Sequence, residues 1–236
     1  MQVGLIITGH LRSFEACAIT LQQHVILPIT NKDYTVKVFI DTWNTLGGVP
    51  QHDGDAVEVS IEDKLETINV LYNNPILRIE EGRTFECTKY NDRHGCFFTP
   101  ANALSMFYKI QRGFELYKDY SEESGWVADT LIKCRPDLFF LSDLSTDAVE
   151  SLGCIWTPDF GDFGGMNDQF GLGPPELMQH FFNTYENIDR MFDSGTNIHP
   201  ETLLKRNIED NKVSVGKTHI RYDLMRTSGQ FTRQWS

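Results

Sequence analysis

Apolar residues in this chain come in two rhythms, short unbroken runs and longer stretches in which they recur every three or four positions. Val3 to Thr8, VGLIIT, is a β-branched apolar run stopped by Gly9, which predicts a buried strand entering a turn. SFEACAITLQQHV, from Ser13, has Glu15 in its first turn and apolar residues at helical spacing, so the opening reads strand, loop, helix. Thr35 to Ile40 predicts a second strand ending at Asp41-Thr42-Trp43, followed by a polar, glycine-rich loop. SIEDKLETINVLY then approximates a capping box, with Ser60 as N-cap and Asp63 three residues on. PILRIEE is a third strand. After an irregular segment to Phe98, Thr99 caps a helix opened by Pro100, and Leu104, Phe107, Ile110, Phe114 and Tyr117 form its core-facing stripe. WVADTLIKC and CIWTP supply a fourth and a fifth strand, and FGDFGGMNDQFGLGPP reads as a glycine-rich loop. PPELMQHFFNTYENIDRMF and HPETLLKRNIEDN are two further helices, each opened by proline beside glutamate, and THIRYDLM is a closing strand.

Strands alternating with helices predict an α/β fold: a mixed, mainly parallel sheet flanked by helices, with an antiparallel strand or two near the C-terminus. No internal repeat, low-complexity tract or linker divides the chain, so residues 1–236 read as a single domain, long enough to bury a core.

Composition narrows the function classes. The 33 acidic and 21 basic residues leave a formal net charge of −12 with no Lys/Arg cluster, which argues against a nucleic-acid partner. The longest apolar runs are strand-sized, far below the roughly 20 residues of a membrane-crossing helix, so no integral membrane segment is expected. The N-terminus has no basic region before its apolar run, so no signal peptide is expected either. Five scattered cysteines fit free thiols in a reducing cytosol, and hence a cytoplasmic location. Cys87, His94 and Cys96 invite a zinc reading, but no second ligand pair is nearby and they read as loop residues.

In open α/β sheets ligands sit outside the carboxyl ends of the strands, so the residues just after each strand are the candidates. Gly9, His10 and Arg12 can set backbone N–H groups and a guanidinium against a phosphate, or form an ordinary turn with a surface arginine. Trp43 can stack on a base or pack under the sheet, and Asp41 can accept hydrogen bonds from a base or ribose or cap a turn. In LIKCRPDLFF an apolar run is broken by Arg135-Pro136-Asp137. A charged pair buried there without partners would cost several kcal/mol, so the segment is either a solvated turn or a site. As a site, Asp137 beside an anionic diphosphate needs a cation between them, a role suited to Mg²⁺ or Mn²⁺, and Arg135 can hold a phosphate or a neighbouring carboxylate; as a solvated turn, the two form an Arg–Asp pair of little worth. Asp168 in the glycine loop is either a general base or a cap. His199-Pro200-Glu201 opens a helix, and His219 is either a late metal ligand or a structural histidine.

The order of ITGHLRSF, VFIDTWN, SMFYKIQRGFELY, VADTLIKCRPDLFF, NDQFGLGPPELM and HPETLLKRNIED resembles a family of small GT-A-fold glycosyltransferases of bacteria and large phages. The resemblance spans nearly the whole chain. It implies a nucleotide-sugar donor, commonly a UDP-sugar, a Mn²⁺ (or Mg²⁺) ion, and a glycan or small-molecule acceptor. It places Gly9, His10 and Arg12 along the diphosphate, Asp41 and Trp43 near the nucleoside, and Asp168 and Gln169 facing the sugar and the acceptor. Lys109, on the helix before the metal strand, adds positive charge near the phosphates. The usual Asp-x-Asp metal motif reads here as Arg135-Pro136-Asp137, so metal binding rests on Asp137 with His219. If transfer inverts the anomeric centre, Asp168 is the base; if it retains, a diphosphate oxygen of the leaving group takes the proton. Two other classes stand beside this one: a non-catalytic nucleotide-binding module of the same fold, and a phosphoryl- or sulfuryl-transfer enzyme, which lacks a GxxxxGK[ST] loop.

Overall fold

A computed structural model describes residues 1–47, 60–93 and 99–233. His94, Cys96 and most of the glycine-rich loop after Trp43 lie outside the described residues. The strands are β1 (Gln2–Thr8), β2 (Thr35–Trp43), β3 (Ile76–Glu80), β4 (Thr130–Cys134), β5 (Leu138–Phe140), β6 (Ile155–Pro158), β7 (Phe170–Gly173), β8 (Val215–Thr218), β9 (Tyr222–Met225) and β10 (Phe231–Arg233). The α-helices are α1 (Phe14–Leu21), α2 (Leu27–Thr30), α3 (Leu65–Leu71), α4 (Pro100–Ser124), α5 (Thr146–Glu150), α6 (Pro175–Phe182), α7 (Ile188–Asp193) and α8 (Pro200–Asp210).

Seven strands form one sheet in the order β3-β2-β1-β4-β7-β6-β8. All run parallel except β7, which is antiparallel to both β4 and β6. The remaining three form a small antiparallel sheet, β10-β9-β5. Helices cover both faces of the large sheet, so β1 is buried on both sides and reads as a continuous apolar run. Its Val3, Leu5 and Ile7 pack with Phe14, Ala18 and Leu21 of α1, while Ile6 packs with Phe107 and Ile110 of α4.

Helix α4 forms as its sequence dictates. The Thr99 hydroxyl accepts the Asn102 amide at 3.3 Å, Pro100 occupies the first turn, and Gly125 ends the helix in the left-handed region at φ 72°. The stripe from Leu104 to Tyr117 is its buried face. Each of its large apolar side chains contributes about 1.5–3 kcal/mol by leaving water.

The observed elements differ from the sequence pattern in several places: Ser60 does not cap a helix, since α3 starts at Leu65 after a 3₁₀ stretch (Glu62–Lys64), and Leu138–Phe140 forms a strand the pattern does not predict. Asp41, Thr42 and Trp43 do not follow β2 but belong to it, because pairing with β3 continues through Asp41↔Arg78 to Trp43↔Glu80. Phe170 to Gly173 is a strand rather than loop; its glycines suggest a turn, but the ladders of β4 and β6 hold it extended. THIRYDLM divides, with Thr218 ending β8 at the edge of the large sheet and Tyr222 starting β9 in the small one. The helix predicted from Pro175 breaks into α6, a 3₁₀ stretch (Asn183–Asn187) and α7.

Candidate functional site

The chain runs β1, β2, β3 outward to one edge, and α4 then returns it to β4 on the other side of β1. The crevice between the carboxyl ends of β1 and β4 is thus a topological switch point, where doubly wound sheets take their ligands. Two segments meet there, Gly9 to Arg12 after β1 and Arg135 to Asp137 after β4.

Asp137 is the centre of this cluster, 1% exposed. Arg135 grips it through two bonds, Nε to Oδ1 at 2.9 Å and Nη2 to Oδ2 at 2.7 Å, and Arg12 approaches Oδ2 at 3.5 Å. Burial alone would raise its pKa; the Arg135 guanidinium, helped by Arg12 and Arg226, overrides this and holds the carboxyl at about 2. The small sheet fixes the backbone: the Met225 amide donates to the Asp137 carbonyl at 2.9 Å, and the Ser13 hydroxyl donates to the Met225 carbonyl at 2.7 Å. Ser13, expected to open α1, makes no side-chain cap; it ties β9 to the site.

The second wall is the start of β7. The Asn167 carboxamide oxygen accepts the amides of Gln169 (2.9 Å) and Phe170 (3.2 Å), while its nitrogen donates to the Phe160 carbonyl and the Tyr222 hydroxyl. Beneath, the buried Lys133 donates to the carbonyls of Asp168 and Gln169. Burial lowers the Lys133 pKa to about 8. Gly165 lets this loop lie on the N-terminus of α8: a Cβ there would stand 2.1 Å from the Glu201 backbone, and the adjacent Met166 amide donates to the Glu201 carbonyl. Glu201 is 3% exposed; burial first, and then the Asp168 charge, raise its carboxyl to about 8. Its Oε2 lies 3.1 Å from Nδ1 of His199, whose own pKa is lowered by burial.

Arg12, Arg135, Asp137, Asp168 and Gln169 therefore share one end of the sheet. Gly9 and His10 are beside them: the Gly9 amide donates to the Asp41 carbonyl, and the His10 ring packs near Trp43 with Nδ1 3.2 Å from the Thr45 carbonyl. Burial lowers the His10 pKa to about 4, leaving it neutral.

Asp41, Trp43 and Lys109 form a separate, closed cluster. Asp41 is fully buried and bound by Arg78 and Lys109; Lys109 also donates to Glu80 at 2.8 Å and lies over the Trp43 ring, 4.5 Å from its centroid. Trp43 is 3% exposed and stacks on Tyr108. Because these side chains point into the helix–sheet interface, they offer no surface to a nucleoside, and the Lys109 charge is taken up by two carboxylates.

The cation expectation meets a similar obstacle. Both Asp137 oxygens are engaged by guanidiniums, His219 is mostly exposed with Nδ1 2.5 Å from Asp159, and among the described residues no three His, Cys, Asp or Glu side chains are grouped to hold a metal ion. The donor set does not fit Mn²⁺ or Mg²⁺.

Lys133 and Arg226 are not among the sequence candidates, and Glu201 enters them only within the helix start His199-Pro200-Glu201. Lys133 had one signal, a lysine inside an otherwise apolar strand; Glu201 looked like an ordinary first-turn acid. No protein-family model matches this chain, and no curated protein matches it. Among the described residues no helix is long and apolar enough to cross a membrane.

Proposed function

We propose that this chain is a glycosyltransferase of GT-A type that takes a nucleotide-sugar donor, a UDP-sugar by its resemblance, in the β1–β4 crevice. The observation that carries the reading is a local reversal of charge. In a chain of net charge −12, Arg12, Arg135, Arg226 and Lys133 converge on Asp137 and Asp168 at the switch point, while burial and the Asp168 charge push the Glu201 carboxyl toward its protonated form. That surplus of positive charge suits a diphosphate.

In this reading Arg12 and Arg135 balance the charge that develops as the nucleoside diphosphate departs, the part the resemblance gave to a metal ion. Asp137 orients both guanidiniums before the donor arrives. Asp168 and Gln169 face the transferred sugar, and for an inverting transfer the Asp168 carboxylate takes the proton of the attacking acceptor hydroxyl. Lys133 and Asn167 fix the backbone that presents them.

The test is a thermal-shift series with UDP and UDP-sugars in the presence of EDTA. UDP at a hundred times its Kd should stabilise the protein by about 2.7 kcal/mol, chelator notwithstanding, and Arg135→Ala should lose most of that response. No response to any nucleotide would end the proposal. A second reading, a non-catalytic nucleotide-binding module, is favoured by the loss of a cation-ready Asp137. It predicts UDP binding with no UDP release from any UDP-sugar across a broad acceptor panel.

A further inference from the structure

His10 follows the end of β1, and its neighbours fix which ring nitrogen carries the proton. Nδ1 lies 3.2 Å from the Thr45 carbonyl, a group that can only accept, so Nδ1 is the donor. Burial first, then the charges of Arg12 and Lys109, lower the ring's pKa to about 4 against the opposing pull of that carbonyl, so near neutral pH the Nδ1 proton is the ring's only one. Nε2 is then a bare acceptor. The ring is kept in this pose by the loop after β2: Gly47, at φ 70°, lies so close that a Cβ there would overlap the imidazole, and the Trp43 ring packs near it with centroids 6.2 Å apart. His10 is only partly buried, and Nε2 has no partner among the described residues while remaining open to solvent.

Nε2 offers chemistry that the crevice guanidiniums do not. Arg12 and Arg135 only donate, and both oxygens of Asp137 are engaged by them. The diphosphate of a nucleotide sugar carries acceptors and no proton, so it cannot bond Nε2. The ribose hydroxyls and the imide N–H of uracil can. The resemblance set His10 along the diphosphate; its tautomer assigns it to the nucleoside instead.

We propose that His10 is a specificity residue of the crevice, whose Nε2 accepts a hydrogen bond from an O–H or N–H of the donor's nucleoside, a ribose hydroxyl or the uracil imide. The inference rests on the nucleotide-sugar reading above and adds to it a contact that rejects a nucleoside lacking that proton. A site that bonds a hydroxyl or N–H discriminates against the analogue without it, because the covered acceptor is left unpaired.

Calorimetric titration compares UDP-glucose with its 2′-deoxy, 3′-deoxy and N3-methyl analogues. One of the three should bind the wild-type protein about 5- to 30-fold more weakly, and which one it is separates ribose from base. In His10→Leu, UDP-glucose should weaken by a similar factor and that analogue should no longer be rejected. Loss of a merely structural histidine would instead weaken all four ligands alike. A second measurement does not depend on how the leucine variant folds: the imidazole nitrogen-15 signals of His10, assigned by their loss in His10→Gln, should show Nε2 unprotonated in the free protein and moving upfield with UDP-glucose. A protonated Nε2, four equal affinities in the wild type, or undiminished discrimination in His10→Leu overturns the inference. No binding of UDP-glucose removes the crevice reading along with it, whereas binding without discrimination that depends on His10 removes this inference alone.

Discussion

Asp41 and Asp137 sit near the carboxyl ends of strands on either side of β1, each buried and each held by two cations, yet their surroundings push them in opposite directions. Around Asp41 burial prevails and its pKa is raised despite Lys109 and Arg78. Around Asp137 the guanidiniums prevail and its pKa falls to about 2. The partners of Asp41 come from α4 and β3: Lys109 is 1% exposed, while Arg78 is 19% exposed. The side chains of Arg12 and Arg135 are 17% and 22% exposed. The difference therefore lies in Lys109: Asp41 has one cation sealed into the helix–sheet interface, where Asp137 has two part-exposed guanidiniums.

The largest effect should come from breaking the sealed cluster. Lys109→Ala leaves Asp41 buried beside Arg78 alone and should cost about 3–5 kcal/mol in chemical denaturation, with UDP affinity of the folded fraction unchanged. A large loss of UDP affinity there would mean that the two clusters act as one. Next, Arg135→Ala should weaken UDP by about 10- to 100-fold, the scale of one charge-assisted contact, as read by calorimetric titration.

The pH dependence separates the pair by sign. A lowered carboxyl pKa gives stability that is present above the ordinary value near 4 and lost as pH falls toward 2, so Asp137→Asn should flatten the acid limb of the stability curve. Asp41, raised, contributes stability in acid that is lost as pH rises, so Asp41→Asn should leave the acid limb in place. Denaturation midpoints measured from pH 2 to pH 5 on both variants decide the matter; equal flattening would erase the distinction. The smallest effect is Trp43→Phe, which weakens the Lys109–indole contact by about 1 kcal/mol and should leave UDP binding unaltered. Weaker UDP binding in that variant would return Trp43 to the nucleoside.

Much of this architecture was legible in the pattern of the chain. The amphipathic stripe of α4 with its Thr99-Pro100 start and the apolar run of β1 carried their own signals, because local periodicity and capping chemistry act within a few residues. The short strands were harder. β5 is three residues long, and β7 is half glycine; what makes them strands is the ladder offered by β9 and by β4, hundreds of atoms away along the chain. The site divides in the same way. Arg12, Arg135 and Asp137 are legible because polar groups follow or interrupt apolar runs at strand ends, Asp168 because it sits in a glycine-rich loop, and Gln169 only through the resemblance. The closing of Asp41 under α4, and the pressing of Glu201 against Asp168 by the close approach at Gly165, depend on packing between distant elements, and no spacing rule reports that.

The clamp that β9 places on the Asp137 carbonyl carries a consequence for how the molecule is made. During synthesis, β1 to β4 and their helices are complete some ninety residues before Met225 emerges, so most of the parallel sheet can assemble while the Asp137 loop still lacks its last backbone partner. The β1–β4 crevice is therefore among the final parts of the protein to take shape, finished by a strand that brings Tyr222 and Leu224 into the core and fixes the position of one carboxylate.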